Sequence, residues 1–442
     1  MATPFMGMRG TGDWATNQVP ESWGQVILRE FPNGSAPLYA MTSMMRQETV
    51  NSYKYHWWSK TMPTQSGSGS VYIDPALGTA YVYATHQATA GTAGGVVYVK
   101  CSANLSKEFN KGALAMLRDS DQPTVDVRGV VQKNFQNGAS SWVAVKLIED
   151  DDNHSDSSTY NLATVDTIMR YSSGYPEGST APVSVNYDPD EYDNYVQNYR
   201  NTIDQTLTAL ATNLRTGDAK KEAKLECAML HSMDIEKSAF WGEKYNGTGE
   251  NGKPLRLTQG MIPFLAENNS SNIVDFQNTT GADYAGKTWL QAGKKFLNTY
   301  LFQLARYLDT GEVMAYCGDG ALLGIQELAE AYGDIKLEVA AKSYGIDVTT
   351  WVIPGLKVHF KTHPLFSHET TNRNMIVLLH PKNCKFCPLV GGGKNFRTKW
   401  EKNMQIPGQH SEVDGFSTKG GWKFYHPNQF MVMYGMGLDN VA

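Results

Sequence analysis

The chain has 442 residues, enough for roughly two to four domains that each bury a core of their own. Charged residues make up 19% and the formal net charge is −5, a balance that argues against a basic nucleic-acid-binding face and against a disordered chain. Five sparse cysteines, an N-terminus without an apolar core of signal-peptide length and no long apolar run predict a soluble, intracellular protein, or one released by lysis.

The N-terminal segment, residues 1–37, is rich in Gly, Pro and Asn, which predicts an extended arm. A short helix and then a strand follow between residues 38 and 63. In the strand, Tyr53, Tyr55 and Trp57 alternate with Lys54, His56 and Trp58, so both faces are partly apolar. An ordinary core strand explains part of this pattern. Four aromatic side chains within six residues, however, exceed what one buried face can use.

Residues 64–180 have the pattern of an all-β unit. The segments AYVYAT, GVVYVKC, VDVRGVVQK, SWVAVKLI and ATVDTIMRY are separated by turns rich in Gly, Asn and Asp. This pattern predicts a small barrel or sandwich. The acidic loop EDDDNHSD, residues 149–156, lacks the glycine and the closing glutamate of a calcium-binding EF-hand loop, so we interpret it as a solvated loop.

A long helix is predicted from Asp218 to Gly242. Asp218 is a suitable N-cap, Gly242 is a suitable stop, and neither Gly nor Pro interrupts the segment between them. The apolar stripe that we expect to be buried consists of Leu225, Ala228, Ser232, Ile235 and Ala239, widened by Met229, Met233 and Phe240.

Helices and strands alternate in the second half of the chain. Thr288 and Gln291 have the spacing of a capping box at the start of a helix that ends near Thr310. The segments EVMAYCG, VTTWVI, LKVHF and NMIVLLHP predict strands, and ALLGIQELAEAYG predicts a further helix. This order indicates an α+β or α/β core.

Motifs that would carry chemistry are weak. The Gly318–Gly324 spacing is one residue too long for a dinucleotide fingerprint, and Cys384 and Cys387 form one cysteine pair without a second. His359 and His363 fall on a predicted strand, where a separation of four residues spans roughly 13 Å, too far for one zinc ion. We therefore expect no catalytic residue, no metal and no cofactor, and a protein that is not an enzyme.

Several segments together resemble the major capsid proteins of tailed double-stranded DNA phages, which have the Hong Kong 97-type fold. They are KYHWWSK, YPEGS, NYVQNYRNTIDQT, DIEKSAFWG, CGDGALLGIQEL and YGIDVTTWVIPGLKVHF. The resemblance implies an α+β fold with a long spine helix. Its expected parts are an extended N-terminal arm (1–37), an E-loop region (38–200) with an inserted β domain at about 64–180, a P-domain (201–262) around the spine helix, an A-domain (263–385) and C-terminal strands returning to the P-domain (386–442).

The function that this resemblance implies is structural. Copies of the chain would form pentamers and hexamers that close into an icosahedral shell around double-stranded DNA, bound without sequence specificity. Portal, scaffold and decoration proteins would be further partners. No membrane is involved, and the protein would be found in the virion and, during assembly, in the host cytoplasm. Tyr55, Trp57 and Trp58 are the candidate contacts between subunits.

Two other functions remain open at this point. An encapsulin-like nanocompartment shell shares the fold that the resemblance implies, although the long N-terminal arm and the β insertion disfavour it. A β-rich hydrolase acting on carbohydrates is suggested by ten Trp and 23 Tyr residues together with the acidic loop, but the aromatic residues are spread over the chain.

Overall fold

The computed structural model describes residues 36–44, 48–122, 126–151, 159–212, 218–308, 311–332, 337–339 and 349–440. The expected N-terminal arm, apart from Ala36 and Pro37, and most of the acidic loop lie outside the described residues. The chain divides into two compact units. The first joins the chain up to Ser59 with the chain from Asp190 onward, and the second runs from Lys60 to Pro189.

The helices range from single turns to one helix of 23 residues. In chain order they are α1 (Pro37–Met44), α2 (Tyr83–His86), α3 (Ala103–Glu108), α4 (Leu207–Ala211), α5 (Ala219–Trp241), α6 (Met261–Asn268), α7 (Trp289–Ala305), α8 (Asp319–Tyr332) and α9 (Pro364–His368). Among these helices of the described residues, none is both long and apolar enough to cross a membrane.

The strands form sheets in both units. In chain order they are β1 (Lys54–Ser59), β2 (Ser66–Ser68), β3 (Ser70–Tyr72), β4 (Val96–Lys100), β5 (Ala113–Arg118), β6 (Asp126–Phe135), β7 (Trp142–Leu147), β8 (Thr167–Ser173), β9 (Asp190–Tyr195), β10 (Gln197–Thr206), β11 (Tyr245–Thr248), β12 (Pro254–Leu257), β13 (Ile273–Asp275), β14 (Glu312–Cys317), β15 (Leu337–Val339), β16 (Thr349–Ile353), β17 (Leu356–Thr362), β18 (Ile376–Leu379), β19 (Cys384–Pro388), β20 (Val390–Gly391), β21 (Lys394–Asn395), β22 (Lys399–Glu401), β23 (Ser411–Phe424) and β24 (Met431–Tyr434). This mixture of helices and largely antiparallel sheets confirms the predicted α+β class.

The long helix α5 begins and ends as the sequence predicts. The side chain of Asp218 accepts hydrogen bonds from the backbone N–H groups of Lys220 and Lys221, which have no partner within the helix. The predicted stripe is correct in the C-terminal half, where Ile235, Ala239 and Phe240 are buried. It is wrong at Leu225, which is 60% exposed, because the N-terminal half of α5 does not contribute that side to the core.

Gly242 is needed for close packing and not for a left-handed conformation. Its φ is −56°, and its carbonyl accepts a hydrogen bond from Gly260. A Cβ atom at this position would lie 2.5 Å from the carbonyl oxygen of Ser238 and 2.6 Å from that of Thr258. The backbone after α5 therefore approaches the segment before α6 too closely for any side chain.

One core of the first unit lies between α5 and the sheet in which β10, β23 and β19 are neighbours. Strand β10 pairs antiparallel with β23 along its whole length, from Gln197 opposite Gly420 to Thr206 opposite Ser411. The large side chains that fill this core include Phe240, Phe264, Phe386, Trp422 and Phe424. Burial of each stabilises the fold by roughly 1.5–3 kcal/mol before conformational entropy is subtracted.

The other core of the first unit lies on the sheet with strand order β13-β24-β18-β14-β17-β16-β15. Helices α7 and α8 contribute Trp289, Phe296, Leu301, Ala321 and Ile325 to it. Thr288 and Gln291 form the predicted capping box of α7. In the sheet, β14 runs parallel to β17 and antiparallel to β18.

The C-terminal region expected at 386–442 does not stay together in one sheet. Strand β23 pairs with β10 and β19, whereas β24 lies between β13 and β18 in the sheet of the region expected at 263–385. The strands after residue 385 thus belong to two different sheets, and the domain boundary expected there stays a prediction. In β24 the side chains of Met431, Val432 and Met433 are buried and Tyr434 is half-buried, which suits a strand in the interior of a sheet.

The second unit is an antiparallel barrel. Its strand order is β2-β8-β5-β6-β7-β4-β3, and its two ends, β2 and β3, are separated in sequence by Gly69 alone, so the sheet closes on itself. Side chains such as Val97, Val99, Leu117, Val143 and Val145 fill the interior. The unit begins and ends a few residues outside the 64–180 limits expected from sequence.

The segment AYVYAT in this unit is not the predicted strand. Residues Tyr83–His86 form helix α2, and the backbone N–H of Val82 donates to Nδ1 of His86 at 2.9 Å, which closes the turn. Tyr81 is buried and donates a hydrogen bond from its hydroxyl to the carboxylate of Asp151. Of the alternating aromatic residues that predicted a strand, Tyr81 is thus buried before the helix, and Tyr83 is the first residue of α2.

Replacing Gly242 by alanine should destabilise the first unit by about 1–3 kcal/mol, because the added methyl group overlaps two backbone carbonyl oxygens. The free energy of unfolding in urea measures the effect. Gly281→Ala is the matched control, since its Cβ would meet only a side-chain atom of Tyr284 at 3.5 Å. Equal stability of the two variants would contradict the close approach of the backbones at Gly242.

Candidate functional site

Strands β1 and β9 form a two-stranded ribbon that separates buried from exposed aromatic side chains. Lys54 lies opposite Tyr195, and Trp57 lies opposite Tyr192. Successive side chains point to opposite faces, so Tyr55 and Trp57 are buried at 6% and 5% exposure, whereas Trp58 is 48% exposed. The ribbon therefore has an inner face within the subunit and an outer face with a large apolar ring.

The inner face is fixed by polar contacts as well as by packing. The hydroxyl of Tyr55 donates to the carbonyl oxygen of Trp422 at 2.8 Å, and Nε1 of Trp57 donates to that of Phe424 at 2.9 Å. The Trp57 ring also packs on Phe264, with 6.1 Å between ring centroids. Burial raises the pKa of Tyr55 well above its ordinary value, so the phenol stays a neutral donor.

The outer face carries charged partners around Trp58. His56 lies 2.7 Å from the carboxylate of Glu191, and Asp193 is held by Lys54 at 3.2 Å and by Lys244 at 2.9 Å. Burial by itself would raise the pKa of Asp193, but its hydrogen bonds and charge interactions with Lys244 and Lys54 outweigh burial and lower the pKa overall. Of the three predicted contact residues, Trp58 is thus the one whose ring reaches solvent.

A buried carboxylate on α5, which was not predicted from the sequence, also belongs to the first unit. Glu236 on α5 is completely buried, and its oxygens accept hydrogen bonds from the backbone N–H groups of Leu38 at 2.8 Å and Tyr39 at 2.6 Å. A third bond, of 2.7 Å, joins it to Nε2 of His363. The backbone N–H of Leu365 donates to Nδ1 of His363, so Nε2 is the nitrogen that carries a proton towards Glu236.

Glu236 therefore joins three segments that are far apart in the chain. It acts as the N-terminal cap of α1, where a negative charge also interacts favourably with the helix dipole, and it holds His363, the residue that begins α9. The signal in the sequence was its position: Glu236 lies directly on the apolar stripe, four residues after Ser232 and four before Phe240. An acidic residue at such a position indicates a buried partner.

The other candidate ligands are not brought together. Nδ1 of His359 lies 2.9 Å from the hydroxyl of Thr350, away from the pair that His363 forms with Glu236. The five cysteines are free and buried, and burial raises the pKa of Cys387 to about 12, so this thiol stays protonated. Across the part of the chain that the structure describes, no group of three or more His, Cys, Asp or Glu side chains could hold a metal ion.

Comparison with known proteins places the chain among the phage major capsid proteins. The chain matches the family model described as SU10 major capsid protein over residues 2–437, and it belongs to that family. A relative, the major capsid protein of Pseudomonas phage PaMx41, is 24% identical over 409 residues, covering 91% of this chain and 87% of the relative. The resemblance to tailed-phage major capsid proteins is confirmed.

Solved structures with a similar chain include shells of two kinds. The Cyanophage Pam1 capsid chain has a TM-score of 0.37 at 12% identity, covering 62% of this chain and 83% of its own. The SrpI encapsulin of Synechococcus elongatus PCC 7942 has a TM-score of 0.37 at 10% identity, covering 59% and 79%. The assignment of the chain to phage capsid proteins rests on the sequence match over residues 2–437.

Replacing Glu236 by leucine should destabilise the subunit by about 3–5 kcal/mol, because three donors, two of them in buried hydrogen bonds, lose their acceptor at once. Urea unfolding measures the loss, and hydrogen exchange at the amides of Leu38 and Tyr39 should become fast. Glu226→Leu, an exposed position on the same helix, is the control. Unchanged protection of these amides in Glu236→Leu would contradict the role of this carboxylate.

The ion pairs of Asp193 should make stability depend on pH. A carboxyl group whose folded pKa is depressed stabilises the fold above its unfolded pKa, near 3.8, and this contribution is lost as the pH falls through the folded pKa. Asp193→Asn should therefore lower the unfolding midpoint at pH 7 and make little difference at pH 3. The neighbouring Asp190→Asn should show no such trend, and a pH-independent difference for Asp193→Asn would contradict this account.

Proposed function

We propose that copies of this chain assemble into a closed icosahedral shell, built from pentamers and hexamers, that encloses the double-stranded DNA of a tailed phage. Membership of the SU10 major capsid protein family, matched over residues 2–437, is the observation that supports this most directly. The protein acts as a structural component of the virion, assembled in the host cytoplasm, and not as an enzyme. Portal, scaffold and decoration proteins are further partners.

The charge of the chain supports a shell that does not condense its genome. With 39 Lys and Arg residues against 44 Asp and Glu residues, the chain carries a net charge of −5 and has no general attraction for phosphate. The DNA is therefore contained without sequence-specific binding. A shell filled after assembly needs no basic arm on its subunits.

The domain roles form part of the same proposal. Helix α5 is the spine of a P-domain, the sheet that contains β14 and β24 belongs to an A-domain, and the barrel of residues 60–189 is an insertion in the E-loop region. In this arrangement Trp58 contacts a neighbouring subunit. Tyr55 and Trp57 contribute indirectly, since they fix the strand that presents Trp58.

Electron microscopy of the purified chain after expression tests the proposal. Closed particles are expected from the wild-type protein, and particles from infected cells should contain nuclease-protected double-stranded DNA. Particles that contain a protein cargo and no DNA would instead support an encapsulin-like compartment. A monodisperse monomer under all assembly conditions would contradict the shell.

Trp58→Ala should leave the subunit folded and reduce the yield of closed particles by about fivefold or more, since aromatic anchors dominate many interfaces. Trp57→Ala is the matched comparison on the opposite face and should destabilise the subunit itself by about 3–5 kcal/mol. Circular dichroism and urea unfolding report folding, and particle counts report assembly. Wild-type particle yield from Trp58→Ala would exclude it as a contact.

A further inference from the structure

On a second surface of the first unit, the side chain of Arg256 has no anionic partner among the described residues. It lies on the hairpin formed by β11 and β12, which pair only with each other within the described residues. A ribbon of two strands has little stability of its own in water. The hairpin must therefore be held by contacts of its side chains.

One such contact is the stacking of Arg256 on Tyr53. The guanidinium carbon lies 4.0 Å from the centroid of the Tyr53 ring, a distance at which the cation interacts favourably with the ring face. Stacking fixes the plane of the guanidinium group, and its two terminal nitrogens, which unlike Nε are not among the buried unpaired atoms, can receive a planar anion. Tyr53 lies directly before β1, and its carbonyl accepts a hydrogen bond from Val196, so its position is fixed by the ribbon.

Among the residues that the structure describes, none accepts a hydrogen bond from the guanidinium group of Arg256. The side chain of Arg256 makes neither a hydrogen bond nor an ion pair with any described residue, and its Nε is buried without a partner. Arginine carries five N–H donors, and those that are removed from bulk water are normally satisfied. An ordered guanidinium group with unpaired donors is an incomplete binding site.

The surface around Arg256 is open to solvent and partly apolar. Tyr53 is 55% exposed, and Tyr245 and Leu255 of the same hairpin are 47% and 46% exposed. The Tyr245 ring lies over Gly247, where a Cβ would come within 2.2 Å of its hydroxyl oxygen. Arginine and aromatic side chains next to aliphatic ones are the combination that is enriched in the centres of protein interfaces.

The ligand that best fits this surface is a carboxylate on another protein. The arginine fork matches the two oxygens of a carboxylate, and the apolar side chains beside it favour a protein surface over a mobile ion. Every copy of this chain has more carboxylates than cations, and exposed ones such as Asp188 and Asp190 make no ion pair or hydrogen bond within the described residues.

We propose that Arg256, oriented by Tyr53, receives a carboxylate from a second copy of this chain and so forms a contact between neighbouring subunits. The inference rests on the proposed shell function and names one of its interfaces. It is independent of Trp58, which lies on the outer face of the β1–β9 ribbon and not on the hairpin. A phosphate group of enclosed DNA would offer the same fork-like anion and is the alternative that the test separates.

Assembly of three variants tests the role of the guanidinium group. Arg256→Ala should fold with unchanged circular dichroism and give about fivefold fewer closed particles or less. Arg256→Lys should not restore the yield, because an ammonium group lacks the planar fork. Lys253→Ala removes the same charge from an exposed position of the hairpin and should assemble like the wild type. Wild-type yield from Arg256→Ala would overturn the inference.

Cross-linking identifies the occupant. A photoreactive phenylalanine analogue in place of Tyr245, in particles assembled from isotopically labelled and unlabelled subunits, should join peptides of two different copies, one of them rich in Asp or Glu. Cross-links confined to one copy, or formed with DNA, would overturn the inference. If the wild-type chain forms no particles, the result contradicts the proposed shell function itself. Particles without this cross-link would refute the Arg256 contact alone.

Discussion

The carboxylate of Glu236 is the constraint on which the first unit depends. Removing a carboxylate from water is unfavourable unless hydrogen bonds replace its hydration, and this one is completely buried. Two backbone N–H groups at the start of α1 and the imidazole of His363 supply those bonds. Helix α5, the segment that begins at Ala36 and the strand β17 that leads into α9 must therefore come together for Glu236 to be buried at all. The apolar packing around this arrangement would tolerate other registers of the segments, whereas the hydrogen bonds to Glu236 would not.

Because side chains alternate along β1, the neighbouring aromatic residues lie on opposite faces of the strand. Tyr55 and Trp57 point inward, where their polar atoms donate to carbonyl oxygens of β23. Trp58 points outward beside ion pairs that fix the ribbon without covering the ring. The same local pattern thus contributes both to the core of the subunit and to its surface. The packing of β1 on the sheet beneath it decides which ring is buried and which is exposed, because a shift of the strand by one residue would exchange its two faces.

The exposed groups described above are of the kind that gains stability when subunits assemble. Exposed apolar rings and an arginine without an anion are unfavourable or neutral in an isolated subunit, and they become favourable only when another surface covers them. Repetition of one chain around a shell supplies such surfaces without a second gene product, because each weak contact recurs at every equivalent position. The net negative charge of the chain gives every copy an excess of carboxylates, which the proposed contact at Arg256 would use.

The sequence by itself determined most of the local elements and the family, with the segment AYVYAT as an exception because Tyr83–His86 forms helix α2. Asp218, the uninterrupted segment after it and Gly242 define α5, and the period of two along residues 54–59 defines β1 and its two faces, because capping and side-chain periodicity act over a few residues. The tertiary structure alone decided which half of the α5 stripe is buried, why Gly242 must lack a side chain, which sheet receives β24 and what satisfies Glu236. The hydrogen bond between Leu38 and Glu236 joins residues 198 positions apart. No local pattern encodes such a partner, because the pairing depends on the simultaneous packing of segments that only the complete fold brings into contact.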